Sequence, residues 1–337
     1  MTKKEVKQNR RRKKLFLAIL MILFTGVLLT TSTYAWFTAN KTVTVSQIDV
    51  NVAAENGLQL SVDGTNWKPV ITNADIDAAI STYPTAVNQL PKKANSIVPV
   101  STAGIVDANT GFLNMYAGSI ETKDDHYILT TQKSTETNTS NSGQFIAFDL
   151  FFRTTSDAQI YLSDASHVRN LEGANGLQNA ARIAFLTQGH AAIGTELSSI
   201  QTMKASDATG LMVWEPNYDV HTDSGVKNAL DNYQISTSKT GGSQLEYVGV
   251  KAEIAAGDDV RLNSKDTKYF GAIKPGLATT EAGIPKSDYL DVFKLSAGIT
   301  KIRVYMWIEG QDVDCENDAS GSTISFNLQF TMNEKGE

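Results

Sequence analysis

Alternating apolar and polar positions begin at residue 43 and predict a β-strand over 43–52. The alternation slips once near Ser46-Gln47, which predicts a β-bulge. After a second alternating segment, Asp63-Gly64 provides a tight-turn signal, so a hairpin is expected to follow the first strand. The apolar positions of these two segments are Val43, Val45, Ile48, Val50 and Val52 in the first, and Leu58, Leu60 and Val62 in the second.

Seven later segments also have the pattern of strands. They are 145–152, 158–162, 180–186, 211–214, 245–250, 299–308 and 322–332. The segment 145–152 is apolar almost throughout, which predicts a strand buried on both faces, whereas 322–332 alternates strictly. Many short strands of this kind favour an all-β, antiparallel sandwich over a doubly wound α/β fold.

Three long polar stretches interrupt the strands, at about 72–144, 217–242 and 255–287. The first includes a predicted short helix at 75–81 and ends with 130–144, whose Ser, Thr, Asn and Gln content predicts a solvated loop. We interpret all three as insertions, and place 217–242 and 255–287 at the ends of the sandwich. No linker-like segment divides the strands, which favours one elaborated sandwich over two stacked ones within 36–337.

The first 35 residues have the pattern of an export signal. A basic stretch at 3–14 leads into apolar residues 15–29, and Ala35 occupies the expected cleavage position, so a signal peptidase would release Trp36 as the new N-terminus. The alternative is a retained membrane anchor over 15–37, although 15 apolar residues reach only about 22 Å as a helix. In either case residues 36–337 are expected outside the cytoplasm, secreted or on the cell surface.

Charge is distributed unevenly along the chain. Residues 1–14 carry eight basic side chains and one acidic, a net charge of +7, whereas residues 36–337 carry 22 basic and 35 acidic, a net charge of −13. Such an acidic body lacks the clustered Lys and Arg that bind phosphates, so nucleic acid is excluded as a partner. The single cysteine, Cys315, excludes an intramolecular disulfide framework and a CxxC zinc site.

An acidic cluster follows the predicted strand 299–308. Its alternate residues Asp312, Asp314, Glu316 and Asp318 are candidate calcium ligands, because calcium prefers several carboxylate oxygens. An EF-hand is excluded, since the sixth and twelfth positions counted from Asp312 are Asn317 and Thr323. The alternative is a water-exposed hairpin loop that needs no cation, because such carboxylates repel one another only weakly in water.

No motif of catalysis is present. The chain lacks HExxH, GxSxG, a Walker loop and a GxGxxG after a strand. His221 lies between Asp219 and Asp223 and is either a metal ligand or a loop histidine, while acids beside Cys315 are expected to raise the pKa of its thiol and keep it passive. We therefore predict a protein without enzymatic activity. A hydrolase built from distant segments would need one of the four histidines beside a carboxylate and a nucleophile.

The start of this chain resembles the signal region and mature start of the camelysin/TasA family of exported Gram-positive proteins. The resemblance is carried by the run Ser32-Thr33-Tyr34-Ala35-Trp36-Phe37-Thr38, followed by the strand 43–52. The resemblance covers roughly 13–62. It implies a jelly-roll sandwich, cleavage before the aromatic pair, and a secreted subunit of extracellular biofilm-matrix fibres that donates its N-terminal strand to the next subunit. Two features differ from the family. This chain lacks a zinc-ligand motif to support the protease activity that the name camelysin implies, and its body is longer than that of the family and carries large polar insertions.

Three functions follow from these patterns. The first is a non-enzymatic, exported surface or matrix structural protein that self-associates through the strand 43–52, unless that strand pairs only within its own sandwich. The second is a membrane-anchored binding or adhesion module, with calcium as its candidate cofactor and the insertions contacting a ligand. The third is a secreted hydrolase.

Overall fold

The computed structural model describes most of the chain from residue 43 onward. The described residues are 14, 16, 43–52, 57–90, 97–123, 126–136, 143–171, 176–242, 244–245, 248–262, 266–273, 276–316 and 321–332. The chain divides into two units, Met1–Thr33 and Tyr34–Glu337, and only Lys14 and Phe16 of the first are described. The predicted cleavage pair Ala35-Trp36 therefore lies outside the described residues. No helix in the described part of the chain is long and apolar enough to cross a membrane.

The described elements are mainly strands. They are β1 Thr44–Val52, β2 Gln59–Ser61, β3 Val70–Thr72, β4 Val100–Ser101, β5 Val106–Asp107, β6 Phe112–Leu113, β7 Met115–Lys123, β8 His126–Ser134, β9 Ile146–Thr154, β10 Ala158–Leu162, β11 His167–Asn170, β12 Ala181–Ala191, β13 Leu211–Glu215, β14 Val248–Val250, β15 Phe270–Ala272, β16 Gly276–Ala278, β17 Leu290–Leu295, β18 Gly298–Ile308 and β19 Thr323–Thr331. The helices are α1 Asn73–Ala78, α2 Leu197–Gln201 and α3 Asp223–Tyr233, with 3₁₀ turns at Ala79–Ser81 and Ala256–Asp258.

Two six-stranded sheets form the body of the protein. The first has the order β17-β10-β19-β1-β3, with β11 also paired to β19, and the second has the order β16-β13-β12-β18-β9-β2. Strand pairs within these sheets are antiparallel except for β1 with β19 and β13 with β16. Each of the later segments predicted as a strand contains one, so the prediction of a mainly β, largely antiparallel protein is confirmed.

The two sheets pack face to face through aromatic side chains. Phe330 of β19 contacts Phe152 of β9 and Phe185 of β12, with ring centroids 5.2 and 5.6 Å apart. Phe293 of β17 joins the same cluster, 5.2 Å from Phe152. Apolar side chains from both sheets belong to one buried core, which explains why the alternating segments keep one apolar face.

The first strand follows its predicted pattern. The pairing of β1 with β19 shifts register between Val45 and Gln47, so the predicted bulge is confirmed. Four of its five predicted inward residues are buried, and Val45 packs against the same core. β1 lies between two strands of the sheet, since it pairs in parallel with β19 from Thr44 to Val52 and antiparallel with β3.

The turn and the short helix that follow are also confirmed. Asp63 Oδ1 accepts hydrogen bonds from the backbone N–H groups of Thr65 and Asn66 at 2.8 Å, and Gly64 has a φ of 77°, a left-handed conformation that suits glycine. Leu60 and Lys68 then form an antiparallel bridge across the turn. The predicted helix at 75–81 corresponds to α1 and the 3₁₀ turn after it.

The first insertion differs from the prediction. Residues 130–134 of the predicted solvated loop 130–144 belong to strand β8, and β8 joins β4 and β7 in a three-stranded sheet. This part of the chain covers the outer face of the second sheet, where Leu113 and Met115 pack with Tyr305 and Trp307. The physical reason is that β18 is buried on both faces and needs a cover, while threonine-rich segments readily form strands.

A buried ion cluster attaches this cover to the second sheet. Arg303 Nη1 donates to Asp149 Oδ1 at 2.8 Å, and Arg303 Nε donates to Glu136 Oε2 at 3.0 Å. Lys301 Nζ lies 3.2 Å from Asp149 Oδ2 and donates to the Tyr83 hydroxyl at 2.9 Å. Two cations therefore balance two carboxylates between β9, β18 and the polar segments that precede β9.

Candidate functional site

A cavity of about 590 Å³ lies beside the turn that follows β18. Apolar and aromatic residues line part of it, namely Tyr218, Tyr233, Val248, Leu262 and Phe270. Polar residues line the part that we call the polar end, namely Arg182, Glu215, His221, Gln311 and Asp312, and the Tyr233 hydroxyl lies 3.4 Å from Gln311 Oε1. The cavity thus joins residues from β12, β13, α3 and both later insertions to the predicted acidic cluster.

Arg182 is the cation at the polar end of the cavity. Its Nη2 atom donates to Glu215 Oε1 at 2.6 Å and to Asp312 Oδ2 at 2.5 Å, and its Nη1 atom donates to the carbonyl of Asn179 at 2.8 Å. Burial opposes the charge of this guanidinium, but Glu215 and Asp312 outweigh it and raise the pKa of Arg182. One arginine therefore forms ion pairs with two carboxylates.

His221 and Asp314 form a buried pair next to this arginine. His221 Nδ1 lies 2.8 Å from Asp314 Oδ2, and the two side chains are 6% and 0% exposed. Burial by itself lowers the pKa of His221, but the hydrogen bond and charge of Asp314 outweigh it and raise the pKa above its ordinary value. The other ring nitrogen, Nε2, is buried and has no hydrogen-bond partner among the described residues.

The start of α3 holds Asp314 in place. The backbone N–H and the hydroxyl of Thr222, the N-cap residue, donate to Asp314 Oδ1 at 2.9 and 3.0 Å. Gly225, in the first turn of α3, leaves room for this carboxylate, because a Cβ atom there would overlap Asp314 Oδ1. These hydrogen bonds favour the ionised side chain, as a helix N-terminus does, but burial outweighs them and raises the pKa of Asp314.

The described candidate calcium ligands are each engaged by protein groups. Asp312 bonds Arg182, Asp314 bonds His221, and Glu316 accepts from the Thr222 hydroxyl at 2.9 Å. Asp318 lies outside the described residues. The described part of the chain holds no group of three or more His, Cys, Asp or Glu side chains arranged to bind a metal ion. Calcium binding by this segment stays a prediction.

The alternative interpretation, a water-exposed loop, is wrong for 312–316. Asp314 is 0% exposed and Glu316 is 1% exposed. Tight turns bring these residues inward: the Asp314 N–H donates to Asp312 Oδ1 at 2.9 Å, and the Cys315 N–H donates to the Asp312 carbonyl at 3.1 Å. The packing of α3 against this segment, which the local pattern does not encode, buries it.

Two more groups complete the polar region beneath the cavity. Glu309, 0% exposed, accepts from the Trp307 indole N–H at 2.9 Å and from the Gln311 backbone N–H at 3.0 Å. Cys315 is also fully buried, and burial, with the nearby acids Asp312 and Glu309, raises the pKa of its thiol. The predicted passive thiol agrees with this environment.

The site has part of the arrangement that a hydrolase requires. His221 meets a carboxylate, but within the described residues no hydroxyl or thiol is hydrogen-bonded to its Nε2 atom. The neighbouring Thr222 hydroxyl instead donates to carboxylates and accepts from the Gly225 N–H at 2.8 Å, as a helix cap does. Among the described residues, no nucleophile is therefore paired with His221 at this site.

Sequence reasoning missed the partners in this site. It singled out His221 and Asp314 separately, although the two are 93 residues apart and touch. It did not single out Arg182 or Glu215. The available signal was the excess of acids at 309–316, which demands a compensating cation once the segment is buried.

Comparison with known proteins finds no matching family model, no matching curated protein and no matching solved structure. The comparisons thus place the chain in no enzyme family.

Proposed function

We propose that this protein is an exported, non-enzymatic component of the cell surface or extracellular matrix whose copies assemble by exchanging strand β1. The observation that carries the proposal is the place of β1 in the first sheet. It runs parallel to β19 on one side and antiparallel to β3 on the other. The other strand pairs of this sheet are antiparallel, so a parallel pair in its interior suggests that β1 fills a slot between β19 and β3.

The strand order without β1 supports a jelly-roll architecture. One sheet would then read β3, β19, β10 with β11, and β17, and the other β9, β18, β12 and β13. The chain crosses between the two sheets at each step of two paths. The first path runs from β3 through β9 and β10 to β12, and the second runs from β13 through β17 and β18 to β19. Two such Greek-key paths make a jelly roll. Because β3 is antiparallel to β1 and β1 is parallel to β19, β3 and β19 would be antiparallel neighbours.

The contacts of β1 can be made by a second copy as well as by its own chain. β1 pairs with eight residues of β19 and places Ile48 and Val50 in the core. Removal of the strand would leave an apolar slot with unpaired backbone groups, and such edges recruit strands. Cleavage after Ala35 would free the N-terminal end of this strand for exchange.

Disulfide trapping tests the exchange. Asn51 of β1 lies opposite Gln329 of β19. We would mix Asn51→Cys protein with Gln329→Cys protein during assembly and oxidise the mixture. If β1 enters a neighbouring molecule, disulfide-linked heterodimers form, because the two cysteines become neighbours across the molecules.

The matched control replaces Asn51→Cys by Thr44→Cys. Thr44 is on the same strand but pairs with Thr323, at the other end of β19 from Gln329, so this mixture should give no heterodimer. The double variant Asn51→Cys with Gln329→Cys checks the pairing itself. Intramolecular disulfides in the double variant, with no heterodimers in the mixture, would show that β1 stays in its own chain.

Native material separates the proposal from its main alternative. The cavity described above would also suit a membrane-anchored binding module that keeps residues 1–35. N-terminal sequencing and electron microscopy of the same cell-surface preparation distinguish the two. A start at Trp36 together with filaments supports the fibre subunit, whereas an intact N-terminus with membrane-bound monomers supports the anchored module.

A further inference from the structure

We propose that the cavity beside the His221–Asp314 pair binds an organic ammonium ion, that is, a protonated amine carried on an apolar or aromatic body. The ammonium group would lie at the polar end, near Glu215, Asp312 and His221, and the body against the aromatic residues that line the cavity. This proposal is independent of strand exchange.

The charge of the polar end calls for a cation. Glu215 and Asp312, which line the cavity, share one cation, Arg182, and His221 is already paired with the buried Asp314. Burying carboxylates without balancing charge is costly, so the site gains from a further positive charge.

Two side chains of the cavity hold buried polar atoms that have no partner in the described part of the chain. They are His221 Nε2 and Gln311 Nε2, on residues that are 6% and 9% exposed. When His221 Nδ1–H donates to Asp314, Nε2 of the neutral ring is an acceptor that an ammonium N–H can satisfy. The Gln311 amide can donate to a hydroxyl or carbonyl group of the same ligand. These two atoms indicate a ligand, and this evidence is independent of the acidic charge of the site.

The size and walls of the cavity favour an organic cation over a metal ion. A volume of about 590 Å³ falls within the range of small-molecule sites and far exceeds what one ion needs. The aromatic residues Tyr218, Tyr233 and Phe270 line the cavity, and aromatic faces attract ammonium groups. The described residues also provide no trio of metal-binding side chains.

Calorimetric titration of the purified protein with 2-phenylethylammonium chloride tests the proposal. The matched probes are 2-phenylethanol, which has the same body without charge, and phenylacetate, which has the opposite charge. We expect the ammonium to bind at least tenfold more tightly than the alcohol, and phenylacetate not to bind. Equal affinity for the ammonium and the alcohol would overturn the proposal, as would binding of calcium chloride with no binding of the amine.

Variants assign the binding to this cavity. Asp312→Asn removes one charge at the polar end and keeps the shape of the side chain, so the affinity for the ammonium should fall at least tenfold. The matched control is Glu281→Gln, an exposed acid outside the cavity, which should leave affinity unchanged. Ammonium binding that survives Asp312→Asn at full strength would contradict the proposed site.

A second variant guards against misfolding of the first. Ala272 lies on the exposed rim of the cavity, so Ala272→Trp should obstruct the cavity while leaving the core and every charge in place. We expect loss of ammonium binding with an unchanged thermal unfolding midpoint. Undiminished binding to a folded Ala272→Trp protein would contradict the proposal even if Asp312→Asn does not fold.

Discussion

Buried charges in this molecule join residues that are far apart along the chain. Arg182 meets Asp312 across 130 residues, and His221 meets Asp314 across 93. In each case burial disfavours the charged form, and nearby carboxylates outweigh it and raise the pKa: Glu215 and Asp312 for Arg182, and Asp314 for His221. The two histidines whose pKa values are shifted show the difference that a partner makes, because burial lowers the pKa of His167 while Asp314 raises that of His221.

We predict that His221 titrates above pH 6.5 and His167 below it, as measured by long-range ¹H–¹⁵N spectra of the imidazoles. In Asp314→Asn the His221 pKa should fall. Burial favours the uncharged imidazole, and the neutral amide no longer offsets this effect with a negative charge. The raised pKa of His221 contributes stability that is full below about pH 6.5 and is lost as pH rises through the folded-state pKa. A His221 pKa that does not move in Asp314→Asn would contradict this account, with His167 as the internal reference.

Among the elements, β1 shows how side-chain alternation becomes packing. Neighbouring residues of this strand point to opposite sides, so Ile48 is 2% exposed while Gln47 is exposed. The bulge at 45–47 keeps the apolar face on the core on both sides of the slip. The contribution of β1 to stability therefore depends on alternate positions.

Ile48→Ala should reduce the free energy of unfolding by about 2–5 kcal/mol, because it removes buried methyl groups and leaves a cavity. Gln47→Ala, one position away on the same strand, should change it by less than about 0.5 kcal/mol. Urea denaturation of both variants measures the difference. Equal effects of the two substitutions would show that β1 does not pack in this register.

For the whole molecule, the outer face of the second sheet is as important as the core between the sheets. All residues of β18 are buried, and the cluster of Arg303, Lys301 and Asp149 attaches the covering segments to the sheet. Burial raises the pKa of Asp149, but the charges of Arg303 and Lys301 outweigh it and hold the pKa below its usual value. The ionised Asp149 therefore stabilises the covered sheet.

Asp149→Asn should cost about 3–5 kcal/mol at pH 7, because it leaves two buried cations with too little negative charge. The lowered pKa means that the contribution of Asp149 is present above about pH 3.9 and is lost as pH falls through the folded-state pKa. The difference between wild type and variant should therefore narrow below about pH 4. Denaturation at several pH values checks this, with the exposed Asp288→Asn as the control, expected within about 0.5 kcal/mol of wild type.

The local sequence pattern was sufficient to predict most strands, the bulge of β1, the turn at Asp63-Gly64 and the short helix after β3. These features depend on residues close together in sequence, since alternation and turn chemistry act over a few positions. The polar composition of 130–134 was misleading, because threonine suits a covered strand as well as a loop.

By itself, the sequence determined that this is a mainly β chain with an apolar face on most strands, an acidic body and one cysteine. Only the tertiary structure decided that β1 lies between β19 and β3, that the first insertion covers the second sheet, and that Asp314 meets His221 beside a cavity. The reason is physical: alternation states that a strand has a buried face, but which strand or charge lies against it depends on contacts between residues distant in the chain. Burial of 312–316 then changed its chemistry, because a carboxylate removed from water requires partners that an exposed one does not.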